Sequence, residues 1–419
     1  MDLQGLRNAV AGAGVGIRSR TALAPLGGDG DKVFPPTYIA DGRTDTLYAS
    51  ETRRIEGADV PCVVLDSVAS QANRREVALL DAARRGEASV PITSVDFRPT
   101  AVPHLDRISS LEAPHRIFDA LLRDSLLDGV LFRNSDIGRS ITEATHRNAT
   151  ALFRWSPTTL LFGGWDSTGP KGGRGAKYER AITAEIAAIG VQAGVKTSSR
   201  IDPAGIMNKA ATVYKAADGT WTLDSDEAVR DAKDNPVPVS GGAEGGAPGR
   251  PTQVNHGNIP PRIDRHAGGV TADRIEMTAT LSFPALRRLR FSLDGDGQPF
   301  TDATRAKAEI AAHTALAALG IAATVLAAED GFDLRSRCVL TPTGPLTFDL
   351  VRRDATTEPV SLDRPAALGL LAGAIDAAVR AGLPWEVDEL LLTPTDRLVE
   401  LVRRSHEISA TGDGDDEES

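Results

Sequence analysis

Between Asp231 and Asn258 the chain runs through DNPVPVSGGAEGGAPGRPTQVNHGN, so dense in glycine, proline and polar side chains that it cannot supply a hydrophobic core. Any fold containing it must route it outside, as a mobile excursion from a folded body. Two other stretches have the composition of linkers: the glycine-rich start through Lys32, and the tail after Ser409. The last seven residues carry Asp413, Asp415, Asp416, Glu417 and Glu418 without a base. The remainder is ample for a full core, since the chain has 419 residues, 41% of them hydrophobic and 25% charged. No repeat with a period of about 20–50 residues is visible, which argues against a solenoid. The expected division is a flexible N-terminus (1–32), a folded body (33–405) and an acidic disordered tail (406–419). Within the body, a mobile insertion at 201–258 leads into a distinct segment at 259–271.

Inside the body, strand and helix signals alternate. Val60 to Asp66 reads as a strand feeding a helix over Ser67 to Arg85, with Val68, Ala72, Val77, Leu80 and Ala83 at helical spacing. Helices are predicted over Ala113 to Leu127, Ser140 to Trp155 and Ala176 to Ile189, with a strand over Thr158 to Trp165 before the last. Arg274 to Phe283 alternates as a strand with one buried face, and Leu286 to Leu293 as another. A helix over Thr301 to Leu319, strands over Ile321 to Ala328 and Arg337 to Leu340, and helices over Arg364 to Ala381 and Asp396 to Ser405 complete the chain. The order implies a mixed α/β or α+β sheet with helices packed on one side.

Several chemistries are disfavoured. Cys62 and Cys338 lie far apart with no CxxC, which removes disulfide frameworks and zinc sites and suits a reducing compartment. No signal peptide or membrane span is evident, so the expected location is the cytoplasm. None of the seven histidines pairs at a metal-ligand spacing such as HxxxH. Gly12, Gly14 and Gly16 have no strand before them and do not match a dinucleotide turn. After Gly169, the Gly-Lys-[Ser/Thr] of a phosphate loop is replaced by Arg174, Gly175 and Ala176. No GxSxG is present. Neither cofactor, metal nor catalytic residue is expected.

The net charge is −10, which argues against a nucleic-acid partner until its distribution is considered. From Leu131 to Arg200 ten bases face five acids. Within that stretch a glycine-rich loop carries Lys171, Arg174 and Lys177 ahead of a predicted helix N-terminus, a place suited to a backbone phosphate. Arg147 and Arg154 belong to the same basic segment. His146, beside Arg147, could orient a phosphate, though a satisfied place at the core edge suits it better. Ser70, Gln71, Asn73 and Arg74 cluster where the first strand meets its helix, and such groups can bond phosphates, sugars or base edges as well as form an exposed polar helix face. Ile259, Pro260 and Pro261 make a stiff apolar element followed by Arg262, Arg265 and His266.

Four segments together, LDSVASQANRREVALL (65–80), SPTTLLFGGWDSTGPKGGRGAKYERA (156–181), HGNIPPRIDRHAGGVTADRIEMTATLSF (256–283) and ALRRLRF (285–291), resemble one family. It is the Cas-seven-like backbone subunit of the type I-U (also called I-G) CRISPR effector complex, in the repeat-associated mysterious protein superfamily. The resemblance implies an α+β fold with an RRM-like (ferredoxin-like) palm and inserted thumb- or finger-like subdomains, and it makes 259–271 the thumb-like segment. It implies a non-enzymatic subunit of Cascade that polymerises along CRISPR guide RNA as a helical filament and presents the guide to target DNA in antiviral defence. The implied partners are the guide, copies of itself, and the large and cap or guide-processing subunits, with no membrane. The low aromatic content, 5%, and the lack of an RNP1-type stretch fit backbone readout rather than base stacking. The alternative within the superfamily is an RNA endonuclease, for which Asp264 and His266 would be the candidate groups.

Overall fold

The structure, a computed structural model, describes residues 1–39, 46–169, 176–240, 247–265 and 267–411. They form two compact units. The first comprises Met1–Pro36, Ala49–Val191 and Ala272–Arg403; the second comprises Thr37–Tyr48, Gln192–Thr271 and the residues from Arg404 onward.

The first unit is built on a nine-stranded sheet: β1 (Gly14–Pro25), β2 (Ser50–Ile55), β3 (Ala58–Asp66), β4 (Ile182–Ala193), β5 (Val270–Ser282), β6 (Phe332–Arg335), β7 (Cys338–Pro342), β8 (Phe348–Arg352) and β9 (Thr357–Val360). The path is β6-β7-β1-β5-β4-β3-β2, and β8 also pairs with β1 and with β9. β1 lies antiparallel to β5, with Ile17 opposite Leu281 and Leu23 opposite Ile275. Strict alternation then buries Ile17, Ser19, Thr21 and Leu23 beside Ile275, Met277, Ala279 and Leu281, and turns Arg18, Arg20, Glu276 and Thr280 to the other face. That outer face is charged and paired: Arg18 meets Asp349 at 2.9 Å, Arg20 meets Glu276 at 3.9 Å, and Arg53 meets Glu185. Strands β1 to β5 contain no aromatic residue, so this face offers bases no stacking platform.

Against the buried face lie α2 (Val68–Arg84) and α3 (Asp302–Glu329), with α1 (Leu3–Ala11) and α4 (Arg364–Arg380) packed on α3. By length and composition α3 could cross a membrane, but 89% of its most apolar stretch is buried inside the fold. Its alanines allow close approach from several sides; a Cβ on Gly320 would already touch Leu161, Ile182 and Leu281 at 3.4–3.5 Å. A smaller five-stranded sheet carries Thr93–Asp96 parallel to Leu390–Pro394.

The structure overturns several expectations. The N-terminus is not flexible: Asp2 caps α1 by accepting from the Gly5 N–H at 2.7 Å, Leu6, Ala9 and Val10 are buried, and β1 is central to the sheet. Its glycines serve close packing rather than mobility, because a Cβ on Gly14 would meet the Phe283 ring at 3.0 Å and one on Gly16 the Leu281 carbonyl at 2.3 Å. Thr158 to Trp165 is mostly helix (Pro157–Phe162), with Pro157 at its first position, where a missing N–H costs nothing. Ala176 to Ile189 is largely β4, whose period-two burial of Ile182, Ala184, Ile186 and Ala188 is masked by alanine. Ile321 to Ala328 continues α3, since a run buried all round reads alike as strand or helix. Leu286 to Leu293 is not a strand; Pro284 opens the short helix Phe283–Arg287 instead. The helices over 113–127 and 140–155 break into shorter pieces (Ala120–Arg123, Asp136–Glu143, Thr150–Trp155). The tail begins later than expected, because Asp396–Thr411 is helical; the acidic residues from 412 onward lie outside the described residues.

Candidate nucleic-acid interface

The strand–helix junction is assembled around a charge. Asp66, at the end of β3, is fully buried and accepts from Ser70 Oγ at 2.8 Å, Gln71 Nε2 at 2.7 Å and Arg74 Nε at 3.0 Å. Arg74 also donates to the Asp333 and Leu334 carbonyls, and Arg335 donates to the Leu65 carbonyl at 2.7 Å. Behind them Arg75, 2% exposed, donates to Gln71 Oε1 at 2.7 Å. A buried carboxylate is tolerable only when its lone pairs are taken. Ser70, Gln71 and Arg74 are therefore engaged in tying α2 to β6, and of the four junction candidates only Asn73 is exposed.

A second buried charge supports a short two-stranded neck. Glu76 on α2 receives Arg116 through two bonds of 2.7 Å, both residues being buried. Burial pushes the Glu76 carboxyl up to about 7, while Arg116 and Arg180 draw it back. Arg116, in the left-handed region at φ 55°, also donates to the Gly163 carbonyl at 3.0 Å. Gly163 has φ 88°, and the two-stranded neck Gly164–Trp165 with Lys177–Tyr178 follows. At the far end of the neck Arg133 bonds Asp166 Oδ1 at 2.8 Å and the Thr168 carbonyl at 2.6 Å. The neck thus holds the ends of the glycine-rich loop; Lys171 and Arg174 lie outside the described residues.

Around the neck the cations converge. Lys177 stands over the Trp165 ring, 5.8 Å from its centroid, and Trp165 is 47% exposed. Tyr178 stacks on His146 with centroids 4.9 Å apart, which sets Arg147 beside the neck. Arg290 N–H donates to the His146 carbonyl at 2.8 Å. Arg147, Lys177, Arg180, Arg288 and Arg290 are all exposed. Glu179 pairs with Arg288 at 2.6 Å and Glu309 with Arg290 at 2.7 Å. Arg154 is not part of this rim: unlike the exposed rim cations it is half-buried, lying over Trp155 and against Glu386 at 3.1 Å. Sequence reasoning passed over Trp165, Arg180, Arg288 and Arg290. The available signal for the first was a tryptophan flanking the basic loop, and for the last two the RRLR run after Pro284.

In the second unit the segment following the Gly/Pro-rich stretch is one strand of an arm, Ile259–Asp264, antiparallel to Lys196–Arg200 with Ser198 opposite Arg262. Arg262 and Arg265 are exposed, Ile259 is half-buried, and His266 lies outside the described residues. Asp202 anchors the arm: it accepts from the N–H groups of Gly257 at 2.7 Å and Ala204 at 2.9 Å, while its own N–H donates to Asn258 at 2.7 Å. These contacts account for the Gly-Asn of the GNIPP stretch. The expected mobile insertion is in part hydrogen-bonded, Val213 N–H to the Gly249 carbonyl and Val239 N–H to the Val213 carbonyl.

The Gly257 N–H, ahead of those of Ile206 and Ala204, holds the Asp202 carboxyl below the usual carboxylate range. A depressed carboxylate stabilises the fold above its unfolded pKa of about 3.9, and that contribution is lost as pH falls through the lower folded value. Limited proteolysis should therefore cut the segment between Ile201 and Asn258 faster below about pH 4. Asp202→Ala should show that sensitivity already at pH 7; identical cleavage patterns for both proteins would remove the anchor.

Residues 17–193 match the model of the family described as CRISPR-associated protein GSU0053. That stretch, less than half of the chain, is similar to a CRISPR-associated family. The matched stretch runs from β1 through the neck to β4, and the arm lies beyond it. Among solved structures, the crystal structure of Thermofilum pendens Csc2 aligns at 11% identity over 95% of this chain and 77% of that one, with a TM-score of 0.24, too slight a likeness to argue from. No curated protein matches the chain.

Proposed function

We propose that the chain is a non-catalytic, cytoplasmic backbone subunit of a Cascade-type CRISPR complex, binding guide RNA by its phosphates and presenting it to target DNA. The observation that carries this is the exposed rim of Arg147, Lys177, Arg180, Arg288 and Arg290 around a braced hairpin; the hairpin and the first three of these residues fall within the stretch that matches a CRISPR-associated family. Such a rim neutralises phosphates without reading bases, which a subunit holding guides of any sequence requires. An RRM-like palm is supported by the strand order β8-β1-β5-β4, with α2 preceding β4 and α3 joining β5 to β8, the order of a β-α-β-β-α-β unit. The arm with Ile259, Arg262 and Arg265 is the proposed thumb. The endonuclease alternative finds little to favour it, since Asp264 sits 3.2 Å from Lys196 and is engaged with a cation.

Light scattering with RNAs of increasing length tests the proposal. The purified chain should co-purify with RNA or take it up, and its assembled mass should rise in steps with RNA length. A mass independent of RNA length would refute the backbone reading, and a discrete cut in labelled repeat RNA would turn it toward the nuclease.

A further inference from the structure

On the helical side of the first unit, α1, α3 and α4 enclose a cleft of about 440 Å³. Arg7 from α1, Lys307 from α3 and Arg380 from α4 line it, with Gln4 and Thr304 beside them and Leu3 and alanines as its floor. All three cations are exposed, and none takes part in an ion pair among the described residues. By contrast Arg290 and Arg305, which flank Lys307's stretch of the fold, each meet a carboxylate. Of the neighbouring acids, Asp2 caps α1, Asp302 lies 3.8 Å from Arg305, and Asp376 stands one turn before Arg380 on α4 without lining the cleft. No carboxylate lines the cleft.

The cleft is separate from the neck rim. Lys307 and Glu309 are two residues apart on α3 and so point about 200° apart around the helix. Glu309 meets Arg290 of the rim, whereas Thr304, Lys307, Ala311 and Thr314, at helical spacing, line the cleft.

We propose that this cleft binds the phosphodiester backbone of a nucleic-acid strand other than the one held at the rim. The inference rests on the reading of the chain as a nucleic-acid-binding subunit. The lining favours a sugar–phosphate backbone over an acidic protein segment. Protein docking concentrates its energy in aromatic or aliphatic anchors seated in pockets, and apart from Leu3 this floor is alanine, with no aromatic side chain. What remains is three cations, an amide and two hydroxyls, the groups that contact phosphates and sugars without reading sequence. The helices also fix the cations on rigid elements.

The test uses the full chain already saturated with RNA, so that the rim is occupied. A fluorescent DNA strand of about 20 nucleotides, longer than the roughly 4–16 nucleotides single-strand sites take, is then titrated at several salt concentrations. Arg7→Gln/Lys307→Gln/Arg380→Gln should weaken DNA binding at least tenfold and lower the salt slope by about 2, at roughly 0.7 per contact. Its RNA affinity should stay within twofold of the wild type. The Arg147→Gln/Lys177→Gln/Arg180→Gln variant should do the reverse, so that the cleft and the rim can each fail alone. In the wild type, DNA should also protect Lys307 from acetylation, a measurement that needs no variant. Unchanged DNA affinity in the cleft variant, or an unprotected Lys307, overturns the proposal. So does displacement of the DNA by poly-glutamate at a concentration that leaves rim-bound RNA in place, which would assign the cleft to an acidic protein segment.

Discussion

Arg116→Ala should destabilise the chain by about 3–5 kcal/mol, the usual cost of leaving one member of a buried ion pair alone. Three losses coincide. Glu76 would keep a carboxyl in a site with 1% exposure without its hydrogen-bonded guanidinium, the Gly163 carbonyl would lose its donor, and the left-handed backbone at 116 would keep its strain without return. Glu76→Leu/Arg116→Met should recover much of the loss, because removing both charges removes the desolvation problem as well. The pair also has a pH signature. A carboxyl raised to about 7 favours the folded state below its unfolded pKa, and this contribution fades as pH rises toward 7. Thermal melts of the wild type should accordingly show a declining component between about pH 4.5 and 7 that Glu76→Gln lacks. A loss below about 1 kcal/mol for Arg116→Ala would mean that the site collapses around the gap and the brace is dispensable.

What was legible beforehand follows from where periodicity is clean. β3 feeding α2, the alternation of β5 and the helix Arg364–Arg380 each bury one stripe, and their spacing shows it, as it shows the last helix from Asp396 as far as Ser405. α3 buries nearly every side along its middle, so it shows no stripe, and Gly320 looks like an end. The N-terminus fails for a related reason: Gly14 and Gly16 are close-packing residues in a central strand, but composition cannot distinguish a glycine that lets backbones meet from one in a loose loop. At the interface, Arg147 and Lys177 were visible as cations in a basic stretch. Ser70, Gln71 and Arg74 looked equally suitable until Asp66 proved buried, because whether a polar side chain is free depends on a partner that sequence does not reveal. Arg288 and Arg290 join the rim only through the fold, by way of the Arg290 N–H to the His146 carbonyl.

Neutralising Arg147, Lys177 and Arg180 together to glutamine should weaken RNA binding independently of sequence. With about 0.7 of a counterion released per single-strand phosphate contact, three contacts lower the salt slope by about 2. Between 1 M and 0.15 M salt such a change corresponds to roughly fortyfold in affinity, so the deficit should be large near physiological salt and almost absent at 1 M. Trp165→Ala should behave differently. An exposed indole beside Lys177 can stack on a base, worth about 1–3 kcal/mol per base, and loss of stacking lowers affinity at every salt concentration without changing the slope. The two variants thus separate the electrostatic from the stacking share of the same surface, and their effects should add if the contacts are independent. Arg154→Gln is the matched control, because its side chain is half-buried against Trp155 and Glu386 and its loss should leave the salt slope alone. Should the triple variant keep the wild-type slope while Arg154→Gln lowers it, the RNA runs elsewhere on the first unit and the rim has no part in holding it.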